Sequence, residues 1–205
     1  MDAERAHWDK VYDTKAETAV SWYQRHSAIS LKWIEAASPH RDASVIDVGG
    51  GASTLVDDLL ASGFADVTVL DISRLALKRS KARLGKAAAD KVGWMVVDVT
   101  RWVPPRTWDI WHDRAAFHFM TKPASQAAYI AAVTAATRPG ASVILSTFGE
   151  EAPAKCSNLP VERYSPGALS RALGPDFASV ATETEIHRAP DGIERPYSYA
   201  VLKRR

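Results

Sequence analysis

Three residues near position 50 have the types and the spacing of a ligand-binding turn. Asp47, Gly49 and Gly51 stand at alternate positions after a short apolar run, and Asp71 ends the next apolar run, 20 residues beyond Gly51. Glycines at the end of a strand let the backbone turn tightly and approach a ligand. An acid at this distance along the chain binds the hydroxyl groups of a ribose. The spacing therefore predicts a site for an adenosine-containing cofactor.

Two classes of cofactor compete for this site, nicotinamide dinucleotides and S-adenosylmethionine. The dinucleotide motif has a further glycine that packs its helix over the pyrophosphate, and this chain has Thr54 at that position. The carboxylate of Asp47, two residues before the first glycine, would repel a pyrophosphate but attract a sulfonium or ammonium group. Both features favour S-adenosylmethionine.

A second set of polar residues ends the fourth apolar run, where the reacting group of a substrate would lie. His112, Asp113 and Arg114 are consecutive, and His118 follows on the same segment. We identify Asp113, Arg114 and His118 as candidate catalytic residues, because loops at strand ends carry reactive groups in α/β proteins. Two alternatives stay open: Asp113 and Arg114 form an ion pair that only supports the fold, and the histidines are packed side chains.

The elements that must position these residues alternate between strands and helices. Strands are predicted at residues 44–48, 67–70, 94–97, 108–111, 141–147, 177–187 and 197–202, with helices over residues 1–40 and from near Ser53, Ser73 and Pro123. Such alternation produces a parallel sheet with helices on both faces, whereas only a turn joins the last two strands. The predicted fold class is α/β: a Rossmann-like, doubly wound, mostly parallel seven-stranded sheet with an antiparallel C-terminal hairpin.

Length and composition limit the class of protein. The chain has 205 residues, of which 46% are hydrophobic and 24% charged, so a single globular domain is predicted over residues 1–205. No apolar run is long enough to span a membrane, and the N-terminus has no apolar signal segment. We therefore expect a cytoplasmic protein without membrane partners. Cys156 is the only cysteine, and no histidine has ligand spacing to another ligand, so no metal is expected.

Two segments are predicted to act as lids. Residues 1–40 are helical and rich in aromatic side chains, including Trp22 and Tyr23. Residues 150–165 are too many for an ordinary connection, which usually spans about 2 to 6 residues. We expect the first segment to cover the cofactor and the second to cover the substrate. Cys156 lies on the second, either as a packed side chain or as a redox-sensitive thiol.

On Asp47, Gly49 and Gly51 the sequence resembles the class I S-adenosylmethionine-dependent methyltransferases. Their motif is an acid, any residue and then glycines at alternate positions. Ser53 departs from it, because the family often has a third glycine there. The resemblance runs from about residue 45 to the C-terminal hairpin and implies that S-adenosylmethionine is the cofactor.

The same resemblance implies roles for the residues that follow the second and third strands. Asp71 would hold the ribose hydroxyls, and Ile72 would pack on the adenine. Asp98 and Val99 would meet the edge of the adenine. An aspartate in such a loop is otherwise a cap for its own turn, which is the alternative for Asp98.

The run from Trp111 to Ala116 resembles the thiol and thiopurine methyltransferases, which carry tryptophan, aspartate, arginine and two small residues there. Trp22 and Tyr23 are similar to the aromatic lid that those enzymes fold over the cofactor. The resemblance implies a small nucleophile as methyl acceptor, with a thiol or related sulfur compound first. A thiol needs little activation, because it has a pKa of about 8.5 and its thiolate is strongly nucleophilic.

Two other functions remain open. Asp113 and Arg114 also resemble, more loosely, the protein lysine methyltransferases, which have aspartate, lysine, glycine and threonine at this place. Lysine, with a pKa of about 10.4, needs stronger desolvation or an acidic channel. A non-catalytic module that binds S-adenosylmethionine or RNA is the other alternative, based on the basic residues 74–86. The net charge of +2 gives nucleic acid little support.

Overall fold

The computed structural model describes residues 2–205. The strands are β1 (Val45–Val48), β2 (Val67–Asp71), β3 (Val92–Val96), β4 (Trp108–Arg114), β5 (Thr137–Phe148), β6 (Lys155–Cys156), β7 (Leu159–Pro160), β8 (Phe177–Arg188) and β9 (Glu194–Arg204). The helices are α1 (Asp2–Thr14), α2 (Ala28–Ala37), α3 (Leu55–Ala61), α4 (Arg74–Leu84), α5 (Lys86–Ala89), α6 (Pro123–Ala136) and α7 (Pro166–Leu169). Short 3-10 turns lie at Glu17–Ala19, Val99–Arg101 and Phe117–Phe119.

One seven-stranded sheet has the order β3-β2-β1-β4-β5-β9-β8. The first five strands in this order pair in parallel, and β9 is antiparallel to both β5 and β8. The predicted fold class is therefore confirmed, including the antiparallel C-terminal pair. Residues 150–165 hold a separate two-stranded hairpin, β6 and β7.

Helices cover both faces of the sheet. Every residue of β1 is buried, as expected for a central parallel strand between two helical layers. Val45 packs into one core cluster with residues of α2, α3 and α4, and Ile46 packs into a second cluster with residues of α6 and α7. Among the described residues, no helix is long and apolar enough to cross a membrane.

Strand β4 is three residues longer than predicted, which changes where the candidate catalytic residues lie. The prediction ended at residue 111 because polar residues follow. In the structure Asp113 lies opposite Val48 of β1, and Arg114 lies opposite Ser146 of β5. Asp113 is therefore inside the sheet and Arg114 is the last residue of the strand.

Other boundaries also move. β3 begins at Val92, two residues before the prediction, and β5 begins at Thr137, four residues before it. The segment predicted as helical over residues 1–40 holds two helices, α1 and α2, and residues 15–27 connect them. The helix predicted from near Ser53 begins at Leu55, and the one predicted from near Ser73 begins at Arg74. Ser73 caps this helix, since its hydroxyl accepts a hydrogen bond from the Ala76 amide.

Candidate active site

A cavity of about 330 Å³ lies beyond the carboxyl ends of β1 to β4, where ligands bind in open α/β sheets. Its volume is in the range of small-molecule sites. Five of the predicted cofactor residues line it together with one predicted aromatic lid residue: Gly49, Asp71, Ile72, Asp98, Val99 and Trp22. Residues predicted from spacing and residues predicted from the family resemblance thus share one cavity.

The glycines after β1 allow neighbouring groups to pack tightly against the turn. Gly49 and Gly51 have positive φ angles of 70° and 48°. A Cβ on Gly49 would lie 2.5 Å from the Cβ of Ala116, and one on Gly51 would lie 2.7 Å from the Tyr12 hydroxyl oxygen. A side chain at either position would therefore push the loop after β4 or helix α1 away from the cavity.

The Asp71 carboxylate ends β2 at the cavity wall. Its Oδ1 accepts a hydrogen bond of 2.7 Å from the Ser73 amide, and the residue is only 6% exposed. The pKa of Asp71 is raised to about 7, mainly by burial and also by the nearby Asp47 and Asp9 carboxylates, although the Ser73 hydrogen bond acts to lower it. Hydroxyl donors from a ligand would stabilise the ionised form of such a carboxylate.

Asp98 caps its own turn and also lines the cavity. Its Oδ1 accepts hydrogen bonds from the Thr100 amide (3.0 Å) and the Thr100 hydroxyl (2.7 Å), so it caps the turn that follows β3. Val99 and Ile72 line the same cavity. The cap holds the loop after β3 at the cavity wall.

Asp47 and Tyr23 lie elsewhere than predicted. Both line a smaller pocket of about 40 Å³ behind the glycine turn, not the larger cavity. Asp47 is 2% exposed, and its Oδ1 lies 2.7 Å from Nδ1 of His112. His112 therefore contacts the carboxylate that was predicted to attract a cationic ligand. Arg114 and Trp22 line both pockets.

Arg114 is the candidate catalytic residue that the structure places at the cavity. Its Nε donates to the Tyr199 hydroxyl (3.1 Å), Nη2 to Glu185 Oε2 (3.2 Å) and Nη1 to the Trp22 carbonyl oxygen (3.4 Å). Burial lowers the pKa of Arg114, but Tyr197, Tyr199 and Glu185 outweigh that effect and raise it above its ordinary value. The guanidinium is thus a fixed positive charge in the cavity wall.

Asp113, which was predicted to be catalytic, lines neither of these pockets. It is fully buried and accepts hydrogen bonds from the Tyr129 hydroxyl (2.6 Å) and the Ala116 amide (2.8 Å), while the Phe117 amide donates to both of its oxygens. Burial raises its pKa to about 6, although these hydrogen bonds lower it. The contacts make Asp113 an anchor for the loop after β4.

His118, which was also predicted to be catalytic, does not line the cavity. It is fully buried, with edge-to-face contacts to Phe119 and Phe148, and its Nδ1 accepts from the Phe148 amide at 3.4 Å. Burial, followed by the Arg114 charge, lowers the pKa of His118 to about 3. The ring is therefore neutral and packed, as in the alternative considered for it.

Aromatic side chains close one side of the cavity. Trp8 contacts Trp22 and Phe119 edge-to-face, with ring centroids 5.9 and 5.1 Å apart, and Tyr12 contacts Trp22 at 6.2 Å. Phe119 and Met120 were missed as cavity residues. Their only signal is that they follow the strand-end run.

The hairpin of β6 and β7 also borders the cavity. Ser157 and Asn158 form its turn with positive φ angles of 48° and 66°. Cys156, Leu159 and Pro160 line the cavity, so the segment 150–165 does reach the site. Burial raises the pKa of the Cys156 thiol to about 11, which keeps it protonated and unreactive near neutral pH.

Residues 45–140 match the family model described as a methyltransferase domain. Together with the strand order and the cavity at the carboxyl ends of the strands, the match assigns residues 45–140 to a methyltransferase domain with the class I fold. Within the part of the chain that the structure describes, no group of three or more histidine, cysteine or acidic side chains is arranged to hold a metal ion.

Individual proteins are similar to the chain in sequence or in fold. The EEF1A lysine methyltransferase 2 of Mus musculus is 30% identical over 102 residues, which cover 46% of this chain and 42% of that protein. The chain therefore matches less than half the length of this curated relative. A protein from a study of the conversion of a disulfide bond into a thioacetal group during echinomycin biosynthesis has a TM-score of 0.77 at 17% identity, over 98% of this chain and 92% of that one. A SAM-dependent methyltransferase from Anabaena variabilis has a TM-score of 0.75 at 15% identity, over 100% and 94%.

Proposed function

We propose that the protein transfers a methyl group from S-adenosylmethionine to a small nucleophile, with a thiol or related sulfur compound preferred. The observation that carries this proposal is the chemistry of the strand-four side of the cavity. From residue 114 to residue 160 of the described chain, the cavity is lined by Arg114, Lys122 and mostly apolar side chains, with no histidine and no carboxylate. This side supplies positive charge and apolar surface but no general base.

The cofactor side of the cavity fits S-adenosylmethionine. Asp71 lies at the cavity wall, and none of the groups that shift its pKa is a cation. A carboxylate in this environment is suited to accept hydrogen bonds from ribose hydroxyls. The aromatic rings of Trp8, Tyr12 and Trp22 provide a surface that attracts a cation. When bound, the cofactor supplies an electrophilic methyl group. These rings and the predicted lid residues 150–165 exclude water from the site.

A thiol is the acceptor that this environment activates best. At neutral pH a few per cent of a thiol with a pKa of about 8.5 is already thiolate, and a positive neighbour increases that fraction. Arg114 has this role in our proposal: it stabilises the thiolate while the acceptor proton leaves to solvent. An alcohol would need a base to take its proton, and a lysine ammonium would meet positive charge.

Protein lysine is the second candidate acceptor, favoured by the sequence similarity to EEF1A lysine methyltransferase 2. The carboxylate that would have guided a lysine, Asp113, is buried beneath the loop. Glu4 is exposed and also lines the cavity, so its carboxylate is the one that could guide a lysine from outside.

The decisive experiment supplies radiolabelled S-adenosylmethionine with three kinds of acceptor: small thiols, small amines and a whole-cell protein extract. We expect label in small thiol products. A labelled protein band together with no turnover of thiols would replace the thiol proposal with the lysine one. Transfer to none of the three would contradict the enzymatic proposal as a whole.

The ribose role of Asp71 predicts a loss of cofactor affinity. Asp71→Asn should weaken binding of S-adenosylhomocysteine by about 1 to 3 kcal/mol, because buried hydroxyls lose a charged partner. Wild-type affinity should also fall as the pH is lowered through about 7, since protonation removes the charge that the hydroxyls favour. Isothermal titration of both proteins between pH 6 and about 8 measures this. Equal affinities would exclude the ribose assignment.

Transfer should need no divalent metal. In our proposal the Arg114 guanidinium activates the acceptor, so a metal ion is not needed for that step. The sequence analysis also predicts no metal-binding residues. Activity is therefore expected to be the same before and after dialysis against EDTA. Loss of activity that magnesium or zinc restores would reveal a metal site that this account lacks.

A further inference from the structure

The antiparallel C-terminal strand pair surrounds Arg114. Glu185 of β8 accepts from Nη2 at 3.2 Å, and the Tyr199 hydroxyl of β9 accepts from Nε at 3.1 Å. The ring of Tyr197, also on β9, lies 4.1 Å from the guanidinium carbon. Tyr199 in turn donates to Glu185 Oε2 at 3.1 Å, and Gln24 hydrogen-bonds the other Glu185 oxygen. Three side chains from one strand pair thus fix the position of one cation.

This arrangement continues inward to the glycine turn. The Tyr199 hydroxyl lies 3.3 Å from Ser30 Oγ, which lies 2.8 Å from Nε2 of His112. Nδ1 of the same histidine lies 2.7 Å from Asp47 Oδ1. The two pockets therefore share a connected buried network, with Arg114 at one end and Asp47 at the other.

Charge balance is the physical consequence of these contacts. A buried guanidinium without a counter-ion is costly, and Glu185, itself 8% exposed, supplies the opposite charge within hydrogen-bonding distance. The ion pair with Glu185 partly offsets the Arg114 charge at the wall next to the glycine turn. Without it, the same wall would carry one uncompensated positive charge.

We propose that Glu185 and Tyr199 are positioning residues that set the orientation and the net charge of Arg114, so that the cavity accepts a cationic cofactor. The proposal rests on the assignment of S-adenosylmethionine as the cofactor. Its sulfonium gives S-adenosylmethionine a net charge of about +1 near neutral pH, whereas S-adenosylhomocysteine is a neutral zwitterion. An uncompensated Arg114 would repel the first and leave the second nearly unaffected.

The test is the ratio of the two dissociation constants, measured by isothermal titration on the full chain. In Glu185→Gln we expect binding of S-adenosylmethionine, relative to S-adenosylhomocysteine, to weaken by about five- to tenfold, the size of a partly screened charge repulsion across a cavity. Glu183→Gln is the matched control: this carboxylate lies two residues away on β8 but pairs with Lys32 and Trp33, so the ratio should stay at the wild-type value.

Two further variants separate charge from folding. Tyr199→Phe should loosen Arg114 and shift the ratio in the same direction by a smaller factor. The double variant Arg114→Gln with Glu185→Gln should restore the wild-type ratio, because both charges are gone. Wild-type binding with an unchanged ratio in Glu185→Gln overturns the inference alone. A wild-type chain that binds neither ligand overturns the proposed function along with it.

Discussion

Replacement of Arg114 by glutamine should slow methyl transfer to a small thiol by about ten- to a hundredfold. The guanidinium lies at the cavity wall and is held there by the Tyr199 hydroxyl and Glu185. A positive group at this position stabilises a thiolate, and its loss removes a charge-assisted contact from the reacting acceptor. Initial rates with labelled S-adenosylmethionine at saturating thiol measure the effect.

The same role of Arg114 predicts the direction in which the pH dependence of the rate shifts. A positive neighbour lowers the pKa of a bound thiol, so the wild-type rate should level off at a pH below the free thiol's pKa of about 8.5. In Arg114→Gln the rising limb should move to higher pH. Arg114→Lys keeps the charge and should keep most of the limb in place, although a lysine cannot contact Tyr199 and Glu185 together as the guanidinium does.

A control is needed for Arg114→Gln, because this substitution leaves the Glu185 carboxylate without its ion-pair partner. Glu185 is buried, so an unpaired charge there could unfold the strand pair rather than change the chemistry. Arg114→Gln with Glu185→Gln removes both charges, and it should fold like the wild type yet transfer as slowly as the single variant. Full activity in the double variant, or an unmoved limb in the single one, would refute the thiolate role.

The cofactor side of the site was predictable because its signals are local. A glycine turn after β1 and an acid at the end of β2 are each set by a few neighbouring residues, and parallel strands bring their carboxyl ends to one edge. Gly49 and Asp71, predicted from spacing, therefore reach one cavity together with Asp98, which the family resemblance implies.

The acceptor side was not predictable from spacing, because its partners are distant in the sequence. Asp47 is 65 residues from His112, and Arg114 is 71 residues from Glu185. A polar run after an apolar strand looks reactive whether its side chains face a cavity or a buried partner. The extra three residues of β4 turn Asp113 toward the core, and no pattern in its own segment indicates the tyrosine that it meets.

Replacement of Asp113 by alanine should lower the free energy of unfolding by about 3 kcal/mol or more, since a buried donor without an acceptor costs about 1 to 3 kcal/mol. The change leaves the Tyr129 hydroxyl and the amides of Ala116 and Phe117 without their acceptor. Urea unfolding followed by circular dichroism measures the loss. Tyr129→Phe removes only one of these contacts and should cost less.

The pKa of Asp113 adds a pH dependence whose sign follows from burial. Its folded pKa of about 6 lies above the ordinary unfolded value, so the folded protein binds the extra proton between about pH 4 and 6. The Asp113 contribution to stability is therefore present at low pH and is lost as the pH rises through about 6, and Asp113→Asn should abolish this part of the slope. If Asp113→Ala instead unfolds like the wild type but no longer methylates protein lysine, the carboxylate guides an ammonium substrate, and the acceptor is a lysine rather than a thiol.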